Sequence, residues 1–183
     1  MIANIDSLRA AVAGTRFTYL LFWGHEPAPD GSITPSCLSQ WWPCRFEIDG
    51  ETFVSAEHFM MAGKARLFGD EETRHQILLA THPSEAKKLG RLASGFDRDV
   101  WEAHGSDIVV AGNVAKFGQD PLLHEYLLNT GDLVLVEASP VDLIWGTGVA
   151  AKDEGADDPL RWRGRNLLGF ALMRARALLR APS

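Results

Sequence analysis

Along the chain, hydrophobic and polar positions fall into short blocks of two kinds. Phe17–Trp23 (FTYLLFW) is a dense aromatic and aliphatic run, the pattern of a buried strand. Residues 24–36 are polar and rich in Pro, Gly and Ser, and read as a loop. Cys44–Ile48 and Glu51–Val54 flank Asp49-Gly50, and an Asp-Gly pair between two apolar runs predicts a β-hairpin. Ser55 then supplies an N-cap for a helix through to about Phe68, with Gly69 as its stop.

Helical patterns follow closely. Asp70 caps a segment to Ala80, Ser84 after Pro83 opens one to about Ala93, and Asp97 or Asp99 opens a longer one to Phe117. Asp120-Pro121 starts another, which Thr130-Gly131 ends. Leu133–Glu137 predicts a second strand, Asp142–Gly148 a strand end entering a glycine turn, and 151–164 a polar loop. In the last helix Leu168, Ala171, Leu172, Ala175, Leu178 and Leu179 share one face, with Arg174, Arg176 and Arg180 off it. Strands that are not regularly interleaved with helices predict an α+β fold, mostly helical, in one domain over 1–183.

Composition narrows the functional classes. A chain of 183 residues with 46% hydrophobic content builds a core without staples. It has no uncharged apolar run long enough to span a membrane, and Asp6 and Arg9 disfavour a signal peptide, so a cytoplasmic protein with no membrane partner is expected. Cys37 and Cys44 read as reduced thiols. The net charge of -6 excludes general coating of nucleic acid. Its distribution is uneven, because residues 161–183 hold six arginines and no acid. This basic segment is either a local anion site or a solvated helix face.

Several motifs fail on their context. Gly146–Ala151 matches a dinucleotide-binding pattern, yet a polar loop follows where a helix should open. His25-Glu26 with Pro43-Cys44 lacks the spacing of a zinc deaminase, and the six histidines are too scattered to suggest metal ligands.

Three constellations remain. Glu57 and Lys64, seven residues apart on one helix, lie on the same face about 10.5 Å apart along the axis. Either both reach one ligand, or Glu57 serves the helix N-terminus and Lys64 is solvated. Asp142, Trp145 and Gly146 offer a carboxylate and a stacking surface at a tight turn, or a core tryptophan above one. Arg163, Arg165 and Asn166 precede the last helix, where side chains and N-terminal amides suit phosphate, or form a solvated loop.

Phe22, Leu38-Ser39, Gly50–Lys64 (GETFVSAEHFMMAGK), Pro83–Gly90 (PSEAKKLG), Trp101, Lys116-Phe117, Leu127–Gly131, Glu137, Trp145-Gly146 and Asn166–Met173 (NLLGFALM) with Arg176 occur in order. Together, over about residues 17–180, they resemble the NADAR superfamily of YbiA-like N-glycosidases. The resemblance implies hydrolysis of N-glycosidic bonds with no cofactor and no metal. Its implied substrates are a phosphorylated ribosylamino-pyrimidine of riboflavin synthesis or ADP-ribosylated guanine in DNA or RNA.

Through the resemblance, catalysis falls on Glu57 and Lys64, with Lys64 forming a Schiff base; the chemistry of the cleaved bond suggests Glu57 for the carboxylate near the sugar C1, and the constellation with Trp145 and Gly146 adds Asp142 as a catalytic candidate. Substrate contacts fall on Phe22, Ser39, His58 and Trp101, on Trp145 and Gly146 for the base, and on Arg163, Arg165, Asn166 and Arg176. Burial beside Met61 and Ala62 should depress the basicity of Lys64. Gln40, Met61 and Thr147 depart from residues common in the family, and the stretch 151–165 looks longer than in its compact bacterial members; these differences bear on substrate identity. The rival reading is a non-catalytic module that binds ADP-ribose or a nucleotide.

Overall fold

The computed structural model describes residues 2–181. In order its elements are α1 (Ile5–Ala11), β1 (Tyr19–Phe22), a 3-10 turn at Pro35–Leu38, β2 (Phe46–Ile48), β3 (Glu51–Phe53), α2 (Ala56–Leu67), α3 (Glu71–Leu79), α4 (Pro83–Arg91), α5 (Arg98–Gln119), α6 (Pro121–Asn129), β4 (Val134–Glu137) and α7 (Leu167–Arg180). The fold is α+β and mostly helical, with two two-stranded sheets among the described residues. Contacts divide the chain into a unit made of Gln40–Pro121 and a second made of the segments on either side.

In the Gln40–Pro121 unit the hairpin forms where Asp49 and Gly50 take φ of 53° and 79°, the positive values that a two-residue connection requires. Phe46 and Phe53 face each other across β2 and β3 with ring centroids 5.7 Å apart, and Phe59 of α2 meets Phe53 edge-on at 5.0 Å. The hairpin therefore closes onto α2. This helix packs against α3, α4 and α5, and it does so closely because Met61 covers Gly90 of α4 and Phe59 covers Gly112 of α5, where a Cβ would collide.

Polar groups complete the unit. Glu51 of β3 pairs with Arg66 of α2 at 3.0 Å and with Arg74 of α3, tying the hairpin to both helices. Asp70 caps α3 through the Thr73 amide at 3.0 Å, while its other oxygen accepts the Ser94 amide at 2.8 Å and the Ser94 hydroxyl at 2.9 Å. These donors, the Ser94 amide foremost, hold the Asp70 carboxyl well below the usual carboxylate range. The connector from α4 to α5 is thereby fixed to the start of α3. α4 begins one residue before the expected Ser84 cap: Pro83 occupies the first turn and the His82 ring accepts the Ser84 amide at 3.2 Å.

In the second unit β1 and β4 run parallel, with Tyr19 opposite Val134 and Phe22 opposite Glu137. Leu8, Val134, Val136, Trp162 and Phe170 form a core cluster there. α1 has no counterpart in the sequence reading. It is capped by Asn4 and held by Arg9, which donates to the carbonyls of Pro159 at 3.0 Å and Trp162 at 2.9 Å.

Two expectations in this unit are corrected. Asp142–Gly148 is no strand: Asp142 Oδ1 accepts the amides of Ile144 at 2.9 Å and Trp145 at 2.8 Å, which curls the backbone into a turn. Arg176 lies inside rather than off the apolar face, because Thr130 and the Leu133 carbonyl satisfy its guanidinium, while Leu178 is 53% exposed.

Candidate active site

α2 is positioned at both ends. Ser55 Oγ accepts the His58 amide and lies 2.7 Å from His58 Nδ1, so the N-cap residue and a buried imidazole hold one another. Burial pushes the His58 pKa down, which keeps the ring neutral. At 2% exposure His58 shapes the first turn of α2 from inside. Glu57, 5% exposed, donates its amide to the Gln40 carbonyl at 2.9 Å. The Gln40 side chain is buried too, and its Oε1 accepts from Asn113 Nδ2 at 2.9 Å.

Two turns on, Lys64 is half-buried. Burial depresses its basicity, as the sequence led one to expect, and the Arg91 guanidinium adds like-charge repulsion. Its Nζ lies 4.3 Å from the centroid of the Phe96 ring and 5.8 Å from that of Trp101. Trp101 is half-exposed and leans over Gly105. The same helix therefore carries a buried carboxylate and an amine shifted toward its neutral form. Arg91 and Phe96 escaped the sequence reading, since only the packing of α4 and of the α4–α5 connector brings them to Lys64.

In the other unit, the segment around Trp145 is stitched to the start of α7. The amides of Arg165, Asn166, Leu167 and Leu168 donate to the carbonyls of Leu143, Gly146, Ile144 and Trp145 at 3.0–3.2 Å. Of the amides at the start of the last helix, which the sequence offered to phosphate, those of Leu167 and Leu168 are thus already engaged. Asn166 is buried in a left-handed conformation, φ 52°, with Oδ1 accepting the Glu137 amide and Nδ2 donating to the Leu135 carbonyl, both at 3.0 Å. Gly169 follows because the Leu135 carbonyl and the Asn166 amide occupy the space of a Cβ.

The remaining sequence-derived residues of this unit vary in availability. Phe22 is buried at 2%, Ser39 and Trp145 are half-buried, and Gly146 sits against Ser139 and the Glu137 carbonyl. Arg163 donates to the Gly148 carbonyl, Arg176 is internal and Arg165 is exposed. The basic segment is therefore largely consumed locally: Arg161 pairs with Glu154 and Asp158, and Arg180 with Asp132.

The α+β, mostly helical fold has a solved counterpart. The NMR structure of Escherichia coli YbiA matches it with a TM-score of 0.70 and 28% identity over 90% of this chain and 86% of that one. The chain belongs to the NADAR domain family, whose model matches residues 21–180. Among its relatives, N-glycosidase R617 of Acanthamoeba polyphaga mimivirus is 44% identical over 144 residues, 76% of this chain and 85% of the relative. N-glycosidase YbiA of Escherichia coli strain K12 is 33% identical over 138 residues, 75% of this chain and 76% of the relative.

Proposed function

We propose that the chain cleaves the bond between ribose C1 and an exocyclic base nitrogen, in a phosphorylated ribosylamino-pyrimidine or in ADP-ribosylated guanine, through a covalent intermediate on Lys64. Membership of the NADAR family, beside relatives named N-glycosidases, makes it a hydrolase of N-glycosyl bonds. The observation that carries the mechanism is Lys64 itself, an amine shifted toward its neutral form on the same helix as the buried Glu57.

The chemistry proceeds in two exchanges. Opening of the ribose ring leaves C1 doubly bonded to the base nitrogen. Neutral Lys64 Nζ adds to C1, the base leaves as a free amine carrying the proton, and a C1–Nζ iminium remains. Water then adds to C1, the C1–Nζ bond breaks, and the sugar departs as its open aldehyde while Lys64 recovers its amine. Glu57 moves the proton in ring opening and activates the water. Asp142 acts on its own turn, where its Oδ1 accepts the amides of Ile144 and Trp145.

Incubating the purified chain with each substrate under borohydride tests this. The expected result is release of free base and a reduced sugar adduct on Lys64, both lost in Lys64→Ala. Full turnover by Lys64→Ala overturns the covalent route, and tight binding of ADP-ribose without turnover of either substrate overturns catalysis in favour of a binding module. No helix among the described residues is long and apolar enough to cross a membrane.

A further inference from the structure

Phe96 is a large apolar side chain, 48% exposed, in the short connector between α4 and α5. Three features hold it there. Ser94, two residues earlier, gives both its amide and its hydroxyl to Asp70. Gly95 takes a φ of 69°, which turns the chain sharply at that point. The Phe96 ring then leans edge-on against Phe68, with centroids 5.3 Å apart. These contacts fix the ring without burying it, and it lies above Lys64 Nζ at 4.3 Å.

The geometry points to Phe96 as the positioning residue of the candidate catalytic amine: the ring fixes Lys64 Nζ and stabilises the cation that Nζ becomes when bonded to the sugar carbon. The inference rests on the covalent route proposed above. Of the elements packed around α2, α4 presents Arg91, which disfavours the cation, and α5 presents the ring of Trp101. The carboxylates Glu51 and Glu71 are engaged with Arg66 and Arg74. The aromatic faces are therefore the groups set against burial and Arg91. A ring face attracts an ammonium within about 6 Å, and a planar iminium by the same electrostatics. The attacking amine must be neutral, whereas the intermediate it forms is charged. A ring that favours the charged form stabilises the intermediate at the expense of nucleophile, so losing the ring should increase the neutral amine and still slow turnover.

That opposition supplies the test. Phe96→Leu keeps apolar bulk against Phe68 but removes the ring face, and Phe96→Tyr restores the face. In protein labelled with 13C-lysine, the Lys64 Cε resonance, assigned through Lys64→Arg, reports both ring-current displacement and titration. Phe96→Leu is expected to lose the displacement and to move the titration midpoint down by about half a pH unit, a threefold change in the ionisation constant. Turnover should fall about threefold or more with little change in KM, and Phe96→Tyr should recover all three quantities. An unchanged Cε shift and midpoint in Phe96→Leu, or no recovery in Phe96→Tyr, overturns the assignment. Failure of the covalent route would appear separately, as turnover by Lys64→Ala with the Cε result intact.

Discussion

Asn113 Nδ2 donates to Gln40 Oε1 at 2.9 Å, and the backbone carbonyl of Gln40 receives the amide of Glu57. A buried pair of amides thus holds the segment that fixes the candidate carboxylate. Replacing Gln40 by Ala leaves Asn113 Nδ2 with the Val109 carbonyl alone, and replacing Asn113 by Ala takes the donor from Gln40 Oε1; each change should cost about 1–3 kcal/mol in urea unfolding. The double variant should cost less than the sum of the two, and strict additivity would mean that the pair is not coupled.

Asn166 joins two requirements in one residue, a left-handed backbone and a side chain bonded to Glu137 and Leu135. Asn166→Gly accepts the backbone and loses the bonds, whereas Asn166→Ala loses both. Ala should therefore be the less stable of the two by about 1 kcal/mol, read from chemical denaturation. Equal stabilities would show that the conformation carries no strain.

Arg176 is internal, donating to Thr130 Oγ1 at 2.7 Å and to the Leu133 carbonyl at 3.0 Å. Arg176→Met is expected to lose about 2 kcal/mol of stability, since a buried and a half-buried acceptor lose a charged donor. KM measured well below the melting temperature should stay near wild type. A large rise in KM with unchanged stability would return Arg176 to a substrate role.

Lys64 has a depressed pKa, from burial first and Arg91 second, so its neutral fraction grows as pH rises. The acid limb of kcat/KM should rise to a midpoint below the ordinary lysine value of about 10.4. Arg91→Ala removes a like charge and should move that midpoint upward; a downward movement would contradict the electrostatic account.

The carboxyl of Asp70 is held below the usual range by the Ser94 and Thr73 donors, so it binds protons more weakly in the folded chain than in the unfolded one. Its contribution to stability is fully present above the unfolded pKa of about 3.9 and is lost as pH falls below it. Melting temperatures recorded from about pH 6 down to pH 2 should show a shallower acid decline for Asp70→Asn than for wild type.

Where local chemistry decides, the chain was legible. Asp49-Gly50, Ser55 and Asp70 announce a turn and two caps because each acts on backbone a few residues away, and all three do so here. α1 went unread because its short pattern is secured by Arg9 reaching the carbonyls of Pro159 and Trp162. Leu143 and Ile144 suggested a strand, yet Asp142 diverts their backbone and leaves both exposed. The spacing of Glu57 and Lys64 singled out the helix that bears the candidate chemistry. The ring above the lysine had no such signal, since Phe96 reaches it only through the Asp70–Ser94 bonds and the turn at Gly95.

The parallel pairing of β1 with β4 also orders events in time. At roughly 5–20 residues per second of synthesis, Tyr19–Phe22 emerges on the order of ten seconds before Val134–Glu137 exists to receive it. Gln40–Pro121 is continuous in sequence and its helices close largely local contacts, so it can fold while the β1 edge is still unpaired. Until β4 is made, that edge is the part of the nascent chain most open to misplaced pairing.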